Sequence, residues 1–178
     1  MISIIIIVKD DLEIEFTLKN LRLIKKPEKT EIIVVDASEG NLDGIKKKFP
    51  KVRWIYFHNI TDKKITIPEQ RNLGIKKAKG DIFVFVDAGC IVKRNWLINI
   101  TKPIINKKEL IVSGKIKSLS KDKMHNVYWE KIKSNYRESC GAANLALKKE
   151  VFLNIGYFDE NFSIGEDVDF VWRASDKG

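Results

Sequence analysis

Cysteine and histidine are scarce in this sequence. Its 178 residues include two cysteines, Cys90 and Cys140, and two histidines, His58 and His125. No Cys-x-x-Cys or mixed Cys/His spacing links them, which argues against structural zinc. Two distant thiols do not make a disulfide framework either, and a reducing, cytoplasmic compartment fits best. Long hydrophobic runs are also lacking. The N-terminal run Ile2–Val8 is interrupted by Ser3, whereas a membrane helix needs about 20 apolar residues. The run has no basic start and no small-residue cleavage site, so it does not read as a signal peptide. No GxGxxG follows a strand, against a dinucleotide oxidoreductase. The stretch Val8-Lys9-Asp10-Asp11-Leu12 has no glycine, where a nucleotidyltransferase would carry a glycine-rich basic loop. No internal repeat or flexible linker appears, so residues 1–178 read as a single domain.

Acid is the scarcer charge. There are 24 Asp and Glu against 33 Lys and Arg, a formal net charge of +9. Lysines cluster at Lys46-Lys47-Lys48 and Lys76-Lys77. Two readings stay open: solvated helix faces, or attraction to an anion such as a diphosphate or an anionic lipid surface. Peripheral association with the inner face of a membrane remains compatible with this charge. Aromatic residues do not interleave with a basic stripe, and no nucleic-acid motif is present, so no nucleic-acid partner is expected. With 44% hydrophobic and 32% charged residues, the chain has the balance of a folded domain with its own core.

Short apolar runs alternate with helical patterns. Ile2–Val8, Ile32–Val35, Val52–Phe57 and Ile82–Val86 read as buried parallel strands. Between them, Leu12–Ile24, Leu42–Phe49 and Pro68–Lys79 read as helices, closed by Pro27, Pro50 and Gly80. Trp96–Ile105 adds a helix, and Leu110–Val112 begins a further strand. The order predicts a three-layer α/β/α sandwich around a mostly parallel, Rossmann-like sheet. Residues 1–112 form its first half. In 113–178, Lys115–Arg137, with Tyr128 and Trp129, reads as a loop and helix able to cover a crevice. Cys140–Leu147 reads as a strand and Lys148–Ile155 as a helix. Glu166–Ser175 reads as a helix with Val168, Val171 and Trp172 on its apolar side.

Ligands of such sheets sit beyond the carboxyl ends of the strands. Asp10/Asp11, Asp36 and Asp87 stand at those ends. Each alone reads equally as a turn former or helix cap. Three in one crevice suggest a binding site.

Four segments carry a family resemblance: SIIIIVKDD (3–11), EIIVVDASEG (31–40), EQRNLGIKKAKGDIFVFVDAGC (69–90) and CGAANLALKKEVFLNIGYFDENFSIGEDVDFVWRASDKG (140–178). Together they resemble the family 2 glycosyltransferases of the GT-A fold. The resemblance implies inverting transfer of a sugar from a nucleoside-diphosphate donor, typically UDP, to a hydroxyl on a glycan, a lipid-linked or a small-molecule acceptor. It implies that Asp36 accepts a hydrogen bond from the nucleobase. Arg71 would face the base or the diphosphate, and Val8 and Lys9 would line the donor loop. Asp87 opens the family's D-x-D motif, whose acids meet the ribose and a divalent metal, Mn²⁺ or Mg²⁺. The motif here reads Asp87-Ala88-Gly89, so the acid that usually ligates the metal is replaced by Gly89, and metal use stays open. Asp167 takes the place of the catalytic base, with Glu166 orienting the acceptor or a loop. Gly141 and Asn144 match the acceptor-side G-A-N strand. Asn72 and Gly74 would hold their helix to the sheet, and Asp159-Glu160 would fasten a loop.

The sequence departs from the family at Lys9, a place often aromatic, and at Ile7, often proline. It ends at Gly178, soon after the Glu-Asp helix, which leaves open a minimal enzyme, a truncated chain or a site completed by a partner. With Gly89, this motivates the alternative reading: a nucleotide-sugar-binding or scaffold module without turnover.

Overall fold

The computed structural model describes residues 1–58, 66–117, 136 and 140–177. Most of the expected crevice-covering segment, including Tyr128 and Trp129, lies outside these residues, as does His125. The elements run β1 (Ile2–Val8), α1 (Ile14–Leu23), β2 (Thr30–Asp36), α2 (Asp43–Lys48), β3 (Arg53–Tyr56), α3 (Ile67–Lys77), β4 (Ile82–Val86), α4 (Trp96–Ile105), β5 (Ile111–Ser113), β6 (Asn144–Lys148), α5 (Lys149–Ile155) and α6 (Glu166–Ser175).

The strands form one sheet in the order β3-β2-β1-β4-β6-β5. β1, β2, β3 and β4 are parallel. β6 runs antiparallel to both β4 and β5 and is the one reversed strand among the described residues. Its reversal has a functional consequence: Val86, at the end of β4, pairs with Asn144, at the start of β6. The Cys140–Asn144 stretch therefore arrives at the same sheet edge as the carboxyl ends of β1, β2 and β4. The expected division at residue 112/113 falls inside β5, and the inserted β6 binds both halves into one sheet.

Both faces of the sheet are covered, which explains the nearly continuous apolar runs. Ile4, Ile6, Val8, Val84 and Val86 pack on one face with Leu18 and Leu21 of α1, Ile45 of α2, and Leu97, Ile100 and Ile104 of α4. Ile5, Phe83, Phe85, Leu145 and Leu147 pack on the other with Ile75 of α3, Val151 and Phe152 of α5, and Phe170 and Val171 of α6. Helix α3 lies close against the sheet at Gly74. A Cβ there would stand 2.6 Å from Ile5 Cγ2 and 3.2 Å from Val35 Cγ2, so the approach requires glycine.

Three expectations need correction. The strand expected at Cys140–Leu147 begins only at Asn144, because the small residues before it turn toward α6 rather than pairing in the sheet. Helix α1 buries Ile14, Thr17, Leu18 and Leu21. Leu12, where the expected helix began, lies before α1 and is exposed, as is Phe16 outside the buried stripe. Helix α6 is rotated from the expected face. Phe170 is fully buried, Trp172 is 55% exposed, and Glu166 shares the inner side one turn before Phe170. That rotation aims a carboxylate at the heart of the molecule.

Candidate functional site

The strand order reverses between β1 and β4: the chain goes from β1 outward to β2 on one side and later to β4 on the other. Such a reversal opens a crevice at the carboxyl ends. Four distant charged residues meet there. Arg71, on α3, is 5% exposed and forms an ion pair with Glu166, itself 4% exposed. The Arg71 Nη2 also stands 3.8 Å from Asp87 Oδ1, just beyond β4. Asp167 Oδ2 accepts the Ala142 N–H at 2.9 Å, and its Oδ1 accepts the Val168 N–H at 2.9 Å. Arg71 additionally faces the Phe158 ring, 5.7 Å from its centroid.

The charges perturb one another. Burial lowers the Arg71 pKa, and Asp87 and Asp167 raise it again, so the guanidinium stays cationic. Burial pushes the Asp87 carboxyl above its ordinary value; Arg71 pulls it down and Asp167 adds to the rise. One guanidinium is thus asked to balance three carboxylates. A negatively charged diphosphate alone would worsen that balance, whereas a diphosphate arriving with a cation would relieve it.

Glu166 occupies a different place from the one its sequence suggested. Its carboxylate is spent on Arg71, so it is buried beneath the crevice instead of facing an acceptor. Asn144 also differs. Its Oδ1 accepts the Trp96 indole N–H at 2.8 Å, and its Nδ2 donates to the Lys115 carbonyl at 3.2 Å. The side chain fastens α4 and the segment after β5, leaving little capacity for an acceptor sugar. Gly141 is exposed beside Asp167, with room for a Cβ 3.6 Å from Asp167 Oδ2. Val8 packs in the core and its carbonyl accepts the Ala37 N–H at 2.9 Å, so its side chain does not line the crevice. Lys9 is exposed on the rim. The loop behind it is pinned to the β2 loop by the Asp10 N–H, which donates to Ser38 Oγ at 2.7 Å, and by Asn41 Nδ2, which donates to Asp10 Oδ1 at 2.5 Å.

Asp36 ends β2 and is 1% exposed. Its Oδ1 accepts the Ser38 N–H at 2.9 Å, and Lys46 Nζ lies 2.9 Å from its Oδ2. Lys46 also pairs with Asp43 at 3.1 Å and sits 3.6 Å above the centroid of the Tyr56 ring. Burial works against its charge, but Tyr56, Asp36 and Asp43 hold its pKa above the ordinary lysine value. No local pattern signals this: a lysine inside Lys46-Lys47-Lys48 looks solvated. Asn72 departs from its expected role of holding α3 to the sheet. Its side chain donates to the Phe158 carbonyl at 2.8 Å and to Glu160 Oε1 at 2.9 Å, clasping the 157–160 turn.

Gly89 adopts φ +78°, a left-handed conformation that favours glycine. A Cβ there would stand 2.5 Å from Glu13 Oε2. In an aspartate the carboxylate oxygens lie about 2.4 Å from Cβ, from standard bond lengths. Glu13, from the turn before α1, thus brings a carboxylate oxygen as near to that point as an aspartate's own would be. Among the described residues no group of three or more His, Cys, Asp or Glu is gathered for a metal. A hard cation on a diphosphate needs fewer protein ligands, commonly one or two carboxylates beside the phosphates. Asp87, with Glu13 beside Gly89, matches that donor chemistry.

Comparison with known proteins agrees with this architecture. No curated protein matches the sequence significantly. Among solved structures, the mannosyltransferase PcManGT from Pyrobaculum calidifontis, in complex with GDP-Man and Mn²⁺, superposes with a TM-score of 0.75 at 18% identity, over 95% of this chain and 50% of that one. S. aureus TarS 1–349 in complex with UDP-GlcNAc superposes with a TM-score of 0.77 at 19% identity, over 97% of this chain and 52% of that one. The chain therefore spans about half the length of these structures. The model of the family described as glycosyl transferase family 2 matches residues 3–164. With a match that covers most of its length, and a sheet of the GT-A type, this chain belongs to glycosyl transferase family 2.

Proposed function

We propose that this chain transfers a sugar, with inversion, from a nucleoside-diphosphate donor to a hydroxyl acceptor. UDP is the leading donor nucleotide. The observation that carries the reading is the convergence of Arg71, Asp87, Glu166 and Asp167, drawn from three separate elements, at the strand-order reversal of the sheet. The solved structures with bound GDP-Man and UDP-GlcNAc support a nucleotide-sugar ligand.

The chemistry is one displacement. The acceptor oxygen attacks the anomeric carbon from the face opposite the diphosphate. A C–O bond forms as the bond from that carbon to the phosphate oxygen breaks, and its electron pair leaves with the nucleotide. Asp167 takes the acceptor's proton. Its two backbone hydrogen bonds fix its orientation and leave lone pairs free on both oxygens. Arg71, locked by Glu166, supplies fixed positive charge beneath the leaving group. Asp36 accepts a ring N–H of the base at the far end of the crevice. Asp87, with Glu13, would hold a divalent cation, which when bound supplies charge neutralisation to the diphosphate.

Asp167→Asn tests this. The amide keeps the size and one of the two backbone hydrogen bonds but cannot take a proton. Transfer is expected to fall about 10²- to 10⁴-fold, with donor binding retained. Transfer within twofold of the parent would refute the base assignment. No binding of any nucleoside diphosphate to the parent chain would refute the donor reading itself.

A further inference from the structure

We propose that Lys46 determines which nucleobase the donor carries, acting beside Asp36 as the donor half of a carboxylate–ammonium pair that reads a ring N–H and its adjacent carbonyl. The inference rests on the donor reading above and extends it to a residue that family resemblance does not mark. Lys46 lies on α2, yet its side chain is only 12% exposed and bends over the end of β2. Its Nζ is 2.9 Å from Asp36 Oδ2 in an ion pair, and Oδ2 is buried with no other partner among the described residues. A carboxylate oxygen engaged by one ammonium keeps acceptor capacity for a further donor.

The two side chains are complementary in kind. The carboxylate only accepts and the ammonium only donates. When Asp36 takes the ring N–H of uracil or guanine, the exocyclic atom on the C4 side of uracil or the C6 side of guanine is a carbonyl oxygen, and an ammonium on that side of the carboxylate satisfies it. Cytosine or adenine in the same orientation reverses both contacts. A ring nitrogen lone pair would face Asp36, and an amino group would face Lys46. The flexible lysine stem allows Nζ to yield the face of Oδ2 to the base and remain beside it. Tyr56 under Nζ and Asp43 at 3.1 Å hold the charge in place.

The test is equilibrium binding of UDP, GDP, CDP and ADP to the parent chain, Lys46→Met, Lys46→Arg and the exposed control Lys47→Met. The parent is expected to bind UDP or GDP about tenfold or more above CDP and ADP. Lys46→Met should collapse that preference, Lys46→Arg should retain most of it, and Lys47→Met should leave it unchanged. The best-binding nucleotide is also compared with its thio form, 4-thio-UDP or 6-thio-GDP, in which a weak sulfur acceptor replaces the carbonyl oxygen. The parent should lose affinity on this change and Lys46→Met should not. Should Lys46→Met fail to fold, the parent's response to the thio form still decides: equal affinity for the two forms overturns the proposal. An unchanged base preference in folded Lys46→Met overturns it too, as does uniformly tighter binding of all four nucleotides, which would make Lys46 a plug. Binding of no nucleotide would instead overturn the donor reading.

Discussion

Glu166→Gln should destabilise the fold far more than a surface charge change would. Arg71 and Glu166 are 5% and 4% exposed, so neither charge has water to fall back on. Removing one partner of a buried pair costs about 3–5 kcal/mol, because the other charge stays buried and uncompensated. Here the lower end applies: Asp87 stands 3.8 Å from the Arg71 guanidinium and retains part of the balance. A loss of about 3 kcal/mol lowers the melting temperature of a chain this size by roughly 6–12 °C. Urea denaturation at neutral pH measures the loss, and a double-mutant cycle with Arg71→Met isolates the pair. The double variant should be markedly less destabilised than the sum of the single ones. A Glu166→Gln loss below about 1 kcal/mol, or an additive cycle, would refute the buried pair as a structural strut.

Asp87→Asn should stabilise the free protein at neutral pH. The folded chain holds the Asp87 proton more tightly than the unfolded chain does, chiefly through burial, so stability falls as pH rises from the ordinary value of 3.8 through the raised folded value. Melting curves of the two proteins should converge below pH 3.8 and separate above it, with the variant the more stable; a parent more stable at pH 7 contradicts the reasoning. Gly74→Ala should cost about 1–3 kcal/mol by overpacking against Ile5, measured by the same denaturation, and a neutral result would deny the close approach of α3. Gly89→Asp, which restores the D-x-D spelling, should destabilise the fold because the backbone there holds φ +78°, a conformation strained for a residue with a Cβ; thermal melting measures the loss, and a neutral result would deny that left-handed backbone.

Much of the fold was legible because buried parallel strands leave a clear mark: β1, β2 and β4 are almost continuously apolar where the two flanking layers cover them, with buried Ser3 the exception in β1. The strand-end acids were legible for the same reason, since a carboxylate right after such a run can only lie at the sheet edge. Roles that depend on side-chain direction were not. Glu166 and Asp167 are adjacent in sequence, but the rotation of α6 buries one against Arg71 and presents the other to the crevice. Contacts distant in sequence accompany that rotation: Arg71 with Glu166 across 95 residues, and Phe170 against Phe152 and Phe158. Asn144 was misread because its partner, Trp96, comes from a different layer. Lys46 looked like one of three solvated lysines; only the path of α2 over the end of β2 distinguishes it from Lys47 and Lys48. The antiparallel insertion of β6, which carries Gly141 and Ala142 to Asp167, has no local signature either.

A crystal structure of the chain with an intact nucleotide sugar and Mn²⁺ tests the central claim most directly. The account predicts the base at Asp36 and Lys46, the diphosphate beside Asp87, and the anomeric carbon presenting its open face toward Asp167. A donor seated elsewhere on the protein, or seated here with Asp167 on the same side of the anomeric carbon as the diphosphate, would contradict it.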